Sequence, residues 1–96
     1  MKLGQLVSDA DPAFADRTVT GFAIDHRKIA PGTVFGAFEG ASFNGEDFID
    51  AAIAAGAVAI VARPEAKVTG AVHIADAEPR RAFAQLAANY FRPFPG

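Results

Sequence analysis

The sequence predicts a small two-layer α/β domain with elements in the order β-β-α-β-β-α around a partly parallel sheet. Three observations predict this class. Two short runs rich in β-branched and aromatic residues precede residue 40, an alanine-rich helical pattern follows them, and a continuous apolar run comes next. Because a strand, a helix and a strand in that order imply a right-handed crossover, we expect parallel pairing there. With 96 residues, the chain makes one domain.

The first two strands are separated by a charged corner and a tight turn. Residues 19–24 alternate toward an apolar face and end at the triplet Asp25-His26-Arg27. Pro31-Gly32 has the composition of a turn, because proline fixes φ at its first central position and glycine permits a positive φ at the next. Residues 33–38 are β-branched and aromatic, which predicts the second strand.

A loop with glycine at both ends, residues 40–45, leads into a helix expected over residues 46–55. Asn44 is a candidate N-cap for this helix. The next two residues are acidic and lie in its first turn, where backbone N–H groups are unpaired. Gly56 is expected to end the helix as a left-handed cap. Apolar residues recur at helical spacing at Phe48, Ile49, Ala52 and Ile53.

The last third of the chain predicts two more strands and a closing helix. Residues 57–62 form an apolar run typical of a strand covered on both faces, and residues 71–75 have the pattern of a short strand. Asp76 or Glu78 is expected to cap the final helix, with Pro79 in its first turn, where a missing N–H costs nothing. The apolar stripe of this helix consists of Phe83, Leu86, Ala87 and Tyr90.

The N-terminal segment has a weaker pattern. Leu3, Leu6 and Val7 share one face of a short helix, although Gly4 disfavours it. A polar stretch ends this helix, and residues 13–18 are expected to connect it to the first strand.

Composition excludes several classes of function. Nine Lys and Arg against eleven Asp and Glu give a formal net charge of -2 with no basic run, so we expect neither nucleic acid nor a membrane surface as a partner. The chain has no cysteine, which removes disulfides and thiolate metal sites. The longest near-apolar run, residues 51–62, is too short to span a bilayer, and the first residues lack the pattern of a signal peptide. A soluble, cytoplasmic protein is expected.

The order and spacing of these motifs resemble the N-terminal domain of the Mur ligases. The resemblance extends from about residue 19 to residue 91 and is closest to the MurE type, which adds the third amino acid to the peptidoglycan precursor UDP-MurNAc-L-Ala-D-Glu. The matching features are Asp25-x-Arg27-Lys28-x-x-Pro31-Gly32, the aromatic strand, the Asn44-Gly45 loop, Asp47-Phe48-Ile49 before an alanine-rich helix, and the closing helix from Pro79 to Phe91.

The resemblance implies that residues 1–96 are a single UDP-substrate-binding domain. In the family, a central domain binds ATP and a C-terminal domain helps to bind the incoming amino acid, most often meso-diaminopimelate in Gram-negative bacteria. No stretch of this sequence matches G-x-x-x-x-G-K-[ST]. The whole ligase would use ATP and Mg²⁺ through an acyl-phosphate, whereas this chain alone should be inactive. The implied partners are the UDP end of UDP-MurNAc-L-Ala-D-Glu and the remaining domains of the same ligase.

The uridine contacts that the resemblance implies fall on the charged corner. In MurE-like enzymes the first strand is followed by Leu-Asp-Ser-Arg or a similar sequence, whose apolar residue and serine contact the uridine. Here those two positions are Ile24 and His26, while Asp25 and Arg27 match the family. Histidine has no hydroxyl with which to repeat the serine contact, but an imidazole can donate or accept a hydrogen bond or stack on a uracil ring.

The second contact implied by the family is the loop before the crossover helix. It corresponds to Ala41, Ser42 and Phe43, followed by Asn44 where aspartate is common. A loop beside a helix N-terminus has free N–H groups and a positive dipole end, which suit a pyrophosphate. We hypothesise that this loop and the charged corner form one shallow site.

Each of these residues also has a purely structural interpretation. Asp25 could bond to nearby N–H groups of its own turn, and Arg27 could be a solvated or aspartate-paired surface side chain. His26 could be an exposed loop histidine, and His73 a packed or edge-strand histidine. Phe43 could stack on a ligand or belong to the core. With two histidines and no cysteine, a dedicated metal site is not expected.

Two other functions stay open at the level of sequence. MurF-type ligases share the Asp-x-Arg-Lys and Pro-Gly signature, and the closing helix is the reason to favour MurE. The alternative from a different class is a free-standing, non-enzymatic binding or interaction module.

Overall fold

The structure, a computed structural model, describes residues 2–7, 12–38 and 44–91. Its strands form one sheet in the order β1-β2-β3-β4, and each strand is parallel to its neighbours. The carboxyl ends of the strands therefore lie along a single edge of the sheet. The strands are Gly21–Ala23 (β1), Thr33–Gly36 (β2), Ala59–Ala62 (β3) and Val72–Ala75 (β4).

Helical segments precede the sheet, connect its strands and follow its last strand. Two single turns come first, one helix crosses from β2 to β3, and the longest helix follows β4. Among the described residues, no helix is both long and apolar enough to span a membrane. The α-helices are Leu3–Leu6 (α1), Pro12–Ala15 (α2), Ile49–Ala54 (α3) and Pro79–Phe91 (α4), and the 3₁₀ segments are His26–Lys28 and Gly45–Phe48.

The two central strands bury side chains on both faces of the sheet. On one face, Phe35 and Ile60 belong to a cluster with Ile49 of α3. On the other face, Val34 and Val61 belong to a cluster that also contains residues of α1 and α4. Because successive side chains of a strand point to opposite faces, β2 and β3 are buried at every position. The domain therefore has three layers, with α3 on one side of the sheet and α1 and α4 on the other.

The predicted α/β class and the order β-β-α-β-β-α are confirmed. The structure differs in three respects. The described sheet is parallel throughout, because residues 24–32 carry the chain back along the sheet before β2 begins. The layers number three, because the two apolar faces of β2 and β3 each need a cover. A second short helix, α2, occupies residues 12–15, where mainly a connector was expected.

The predicted signals at the two ends of the crossover helix are confirmed, and the Asp76 side chain bonds the residue that precedes α4. Asn44 Oδ1 accepts a hydrogen bond from the backbone N–H of Glu46 at 2.9 Å, and Asp76 Oδ1 accepts one from the N–H of Glu78 at 2.8 Å. The helix expected over residues 46–55 begins as a 3₁₀ segment and is α-helical from Ile49. Gly56 follows it with a φ of 117°.

Two glycines allow the end of α3 to lie against the turn before β2. The N–H of Gly32 donates to the carbonyl of Gly56 at 2.9 Å, and both residues have positive φ. A Cβ on Gly56 would lie 2.6 Å from Cα of Pro31, closer than non-bonded atoms approach. Only glycine satisfies the backbone angle and the spacing at this contact.

We expect Gly56→Ala to lower the free energy of unfolding by about 2 kcal/mol or more, because it adds left-handed backbone strain and an overlap with Pro31. Gly70→Ala isolates the strain, since Gly70 has a φ of 94° and its Cβ would meet only Ile53 at 3.5 Å. Gly21→Ala is the control without strain or overlap, because nothing lies within 4 Å of its Cβ. Urea unfolding followed by circular dichroism measures all three. Equal losses at Gly56 and Gly70 would contradict a role for the close approach.

Candidate functional site

An open hollow of about 510 Å³ lies at the carboxyl end of β1. In parallel α/β sheets, ligands bind outside the carboxyl ends of the strands, so the position suits a binding site. Ile24 and the three residues of the charged corner, which the sequence singled out, all border it. The lining residues are Ile24, Asp25, His26, Arg27, Phe35 and Phe48.

Asp25 and Arg27 bind each other. Asp25 Oδ1 accepts from the backbone N–H of Arg27 at 2.9 Å, which caps the 3₁₀ turn. The guanidinium also donates from Nε to Oδ1 at 3.1 Å and from Nη2 to Oδ2 at 2.9 Å, a bidentate pair. Both residues therefore have the contacts that the structural interpretation predicts. Asp25 is a turn carboxylate, and Arg27 is paired with an aspartate. The pair fixes the shape of the corner.

This pairing lowers the pKa of Asp25. The side-chain hydrogen bonds from Arg27 are the largest cause, its backbone N–H is the next, and together they bring the pKa of the Asp25 carboxyl from 3.8 to about 2. The same contacts raise the pKa of the Arg27 guanidinium above its ordinary value. The corner therefore carries one fixed negative and one fixed positive charge at neutral pH.

His26 stacks on Phe48. The ring centroids are 4.0 Å apart and the planes differ by 2°. The side chain of His26 is 30% exposed, so it is neither a free loop histidine nor a core residue. Its Nδ1 lies 4.0 Å from Asp25 Oδ1, beyond hydrogen-bond distance. No hydrogen bond to the imidazole occurs among the described residues, which leaves both ring nitrogens able to bind a ligand.

Ile24 is exposed at the rim of the hollow. The sequence placed it in the first strand, but β1 ends at Ala23 and Ile24 lies in the bend that follows. As a result 57% of the residue is accessible, a high value for a large apolar side chain. Ligand pockets combine such apolar surface with a few polar groups, and here the apolar surface adjoins His26.

The second predicted contact region is described only at its ends. Asn44 uses Oδ1 to cap the 3₁₀ segment. The N–H of Gly45 donates to the carbonyl of Phe38 at 2.7 Å, so the two ends of the intervening loop lie side by side. Ala41, Ser42 and Phe43 lie outside the described residues, and their contact with a substrate stays a prediction.

A second hollow, of about 480 Å³, lies along the same edge of the sheet, beside the start of α4. An ion pair borders it: Arg63 donates to Glu46 from Nε at 2.6 Å and from Nη2 at 3.2 Å. The side chain of Glu46 is only 13% exposed. The carbonyl of Arg63 lies 3.1 Å from Nε2 of His73, which is the packed edge-strand histidine that one interpretation expected. These contacts connect the start of the crossover helix to Arg63, the residue after β3, and connect Arg63 to His73 of β4.

Sequence reasoning missed the roles of Phe48 and Arg63. Phe48 fits the helical apolar pattern, and that pattern is the same for a core residue and for one that stacks beside a hollow. The ion pair joins residues 17 apart in the chain, so no local spacing indicates it. Within the described part of the chain, no group of three or more His, Asp or Glu side chains could hold a metal ion.

The sequence of this chain is similar to those of known ligases. Residues 18–91 match the profile described as Mur ligase family, catalytic domain. The chain belongs to the Mur ligase family. The UDP-N-acetylmuramoyl-L-alanyl-D-glutamate--2,6-diaminopimelate ligase of Zymomonas mobilis subsp. mobilis is 60% identical over 96 residues, which are 98% of this chain and 20% of that protein. The ligase of the same name from Bradyrhizobium diazoefficiens is 48% identical over 94 residues, 95% of this chain and 19% of that protein.

Solved structures of Mur ligases have the same fold. A diaminopimelate ligase of the same name has a TM-score of 0.75 at 22% identity, over 96% of this chain and 19% of that chain. The MurF ligase from Thermotoga maritima in complex with ADP has a TM-score of 0.65 at 31% identity, over 83% of this chain and 18% of that chain. The predicted Mur ligase family is thus confirmed. The chain spans about a fifth of the length of these relatives.

We expect the Asp25 carboxyl to titrate with a pKa of about 2 and to return toward 3.8 in Arg27→Gln. The folded pKa lies below the unfolded value, so the contribution of Asp25 to stability is complete above the unfolded pKa of 3.8 and is lost as the pH falls through about 2. Carboxyl ¹³C shifts recorded against pH measure this. Arg81→Gln is the matched control, because Arg81 pairs with Glu78. An unchanged Asp25 pKa in Arg27→Gln would refute the assignment.

We expect Glu46→Gln to lower the free energy of unfolding by about 1 kcal/mol, because it weakens a bidentate pair with Arg63 in which the Glu46 carboxylate is only 13% exposed. Glu78→Gln is the control. Glu78 also lies at the start of a helix, but its side chain is 70% exposed and its contact with Arg81 is 3.5 Å long. That change should cost less than about 0.5 kcal/mol. Equal effects of the two changes in urea unfolding would argue against a structural role for the covered pair.

Proposed function

We propose that this chain is the UDP-binding domain of a MurE-type ligase, a UDP-N-acetylmuramoyl-L-alanyl-D-glutamate--2,6-diaminopimelate ligase of peptidoglycan synthesis. The observation that carries the proposal is the 60% identity, over 98% of this chain, to the Zymomonas mobilis ligase of that name. The hollow after β1 supports it, because the residues at which the resemblance implies uridine contacts border a cavity at the carboxyl edge of the parallel sheet.

The corner offers different chemistry to the different parts of UDP. Ile24 provides apolar surface for the base, and His26 provides ring nitrogens for the polar groups of uracil or ribose. Arg27 uses Nε and Nη2 for Asp25, which leaves the N–H groups of Nη1 for a phosphate oxygen. The pyrophosphate would also contact the loop before the 3₁₀ segment, at Ala41, Ser42, Phe43 and Asn44.

In this proposal the chain holds substrate, and the remaining domains of the same cytoplasmic ligase carry the reaction. Addition of the amino acid uses ATP and Mg²⁺. The residues present do not fit either group, since the sequence has no phosphate loop and the described residues form no cluster of metal ligands. The work of the domain is to bind and orient the UDP end of UDP-MurNAc-L-Ala-D-Glu. Binding energy from this non-reacting end would position the peptide end for the chemistry.

A MurF-type ligase is the second candidate. The Thermotoga maritima MurF structure supports it, since it is 31% identical to this chain at a TM-score of 0.65. The MurE type is preferred because identity to the diaminopimelate ligases is 60% and 48%. Both candidates bind the UDP end of a substrate, so the titration below tests what they share and separates them from a non-enzymatic interaction module.

We expect UDP to bind the ¹⁵N-labelled chain weakly, with a dissociation constant on the order of 1 mM, because a few contacts have to offset the cost of association. Saturable amide shifts should be confined to residues 24–27 and 41–45. Uridine tests the base and ribose without the pyrophosphate, and CDP keeps the pyrophosphate while changing the base. No shifts at several millimolar UDP with the fold intact would contradict the proposal and favour the interaction module.

A further inference from the structure

We infer that Phe48 is a positioning residue of the nucleotide site, and that its ring holds the His26 imidazole in the orientation that contacts uridine. The inference rests on the proposed function, because it concerns how this same hollow binds its ligand. Phe48 reaches the hollow from the segment that precedes α3, whereas His26 belongs to the corner after β1. The contact between them therefore joins two separate parts of the chain at one site.

Hydrogen-bonding capacity is distributed unequally in the corner. Both carboxylate oxygens of Asp25 and two guanidinium nitrogens of Arg27 are used in their mutual pair. His26 makes no hydrogen bond among the described residues. Both nitrogens of the imidazole therefore stay unused within the described part of the chain, as does Nη1 of Arg27.

The contact with Phe48 sets the orientation of the imidazole. The 3₁₀ turn fixes the backbone of His26, but the ring could still rotate about its side-chain bonds. The contact with Phe48, at a centroid distance of 4.0 Å and an interplanar angle of 2°, defines the plane of the ring. One face of the imidazole is covered, so a ligand reaches its nitrogen-bearing edge or its opposite face. A group ordered before binding loses less entropy when the ligand arrives.

Phe48 is itself held in place by the core. It is the N-cap residue of α3, with a φ of -108° and a ψ of 8°, and its side chain packs against the buried cluster that contains Phe35 and Ile49. The ring thus has the core on one side and the imidazole on the other. Through this contact, the packing of α3 on the sheet fixes the position of a hydrogen-bonding group in the corner.

The test measures UDP affinity of the whole 96-residue chain in a double-mutant cycle. Phe48→Leu removes the ring and keeps an apolar side chain of similar size. We expect it to raise the dissociation constant for UDP about two- to tenfold when His26 is present. This factor corresponds to the free energies measured for pairs of aromatic side chains. In the His26→Ala background the same change should have no effect. Phe14→Leu is the matched control, because Phe14 is also half-buried but packs in the cluster on the opposite face.

A second readout needs no ligand. Removal of the Phe48 ring should move the His26 imidazole C–H resonances downfield, since the ring current of a stacked phenyl shifts them upfield, and Phe14→Leu should leave them in place. Phe48→Met, which restores volume without a planar ring, replaces the leucine variant if that variant does not fold.

The outcomes separate this inference from the proposed function. Wild-type affinity in Phe48→Leu overturns the inference and leaves the proposed function intact. A loss of equal size in both backgrounds also overturns it, because Phe48 would then act on the fold without acting through His26. A wild-type chain that does not bind UDP overturns the proposed function and, with it, any role of Phe48 in binding, even if the resonances show that the rings stack.

Discussion

The structure depends on a parallel sheet that is covered on both faces. Val34 and Phe35 of β2, and Ile60 and Val61 of β3, point alternately into the two clusters, so each central strand contributes to both cores. This arrangement requires a crossover helix on one face and the terminal helices on the other. It also brings the carboxyl ends of the strands to one edge, where the chain turns and polar side chains meet solvent. The location of the candidate site is thus a consequence of how the core is built.

At this edge, internal pairing decides which groups are free to bind. The Asp25–Arg27 pair satisfies most of the charge of the corner and gives it a fixed shape. The Glu46–Arg63 pair fixes the start of the crossover helix against the end of β3. His26 is left with unused ring nitrogens and one covered face. Groups used in internal pairs and groups with unused hydrogen-bonding capacity therefore lie side by side in the same short segments.

The two interpretations of the corner residues turn out to be compatible. Asp25 is a turn carboxylate, as the structural interpretation had it, and it nevertheless borders the hollow that the family resemblance indicated. An Asp-x-Arg motif can thus shape a turn and still border a hollow. In the proposed site, Ile24 offers exposed apolar surface and His26 its ring nitrogens, while Arg27 both pairs with Asp25 and keeps Nη1 unused.

The sequence by itself determined the class, the order of the elements, the glycine at the end of α3, the Asn44 cap and the family. These features depend on periodicity and on preferences of residues within a few positions of each other, which a single sequence displays directly. Tertiary structure alone decided the parallel pairing of β1 with β2, the third layer, the stack of His26 on Phe48 and the partner of Glu46. Each of these is a contact between segments that are distant in the chain. Such contacts form only when the packing of the whole core brings the segments together, so no local pattern records them.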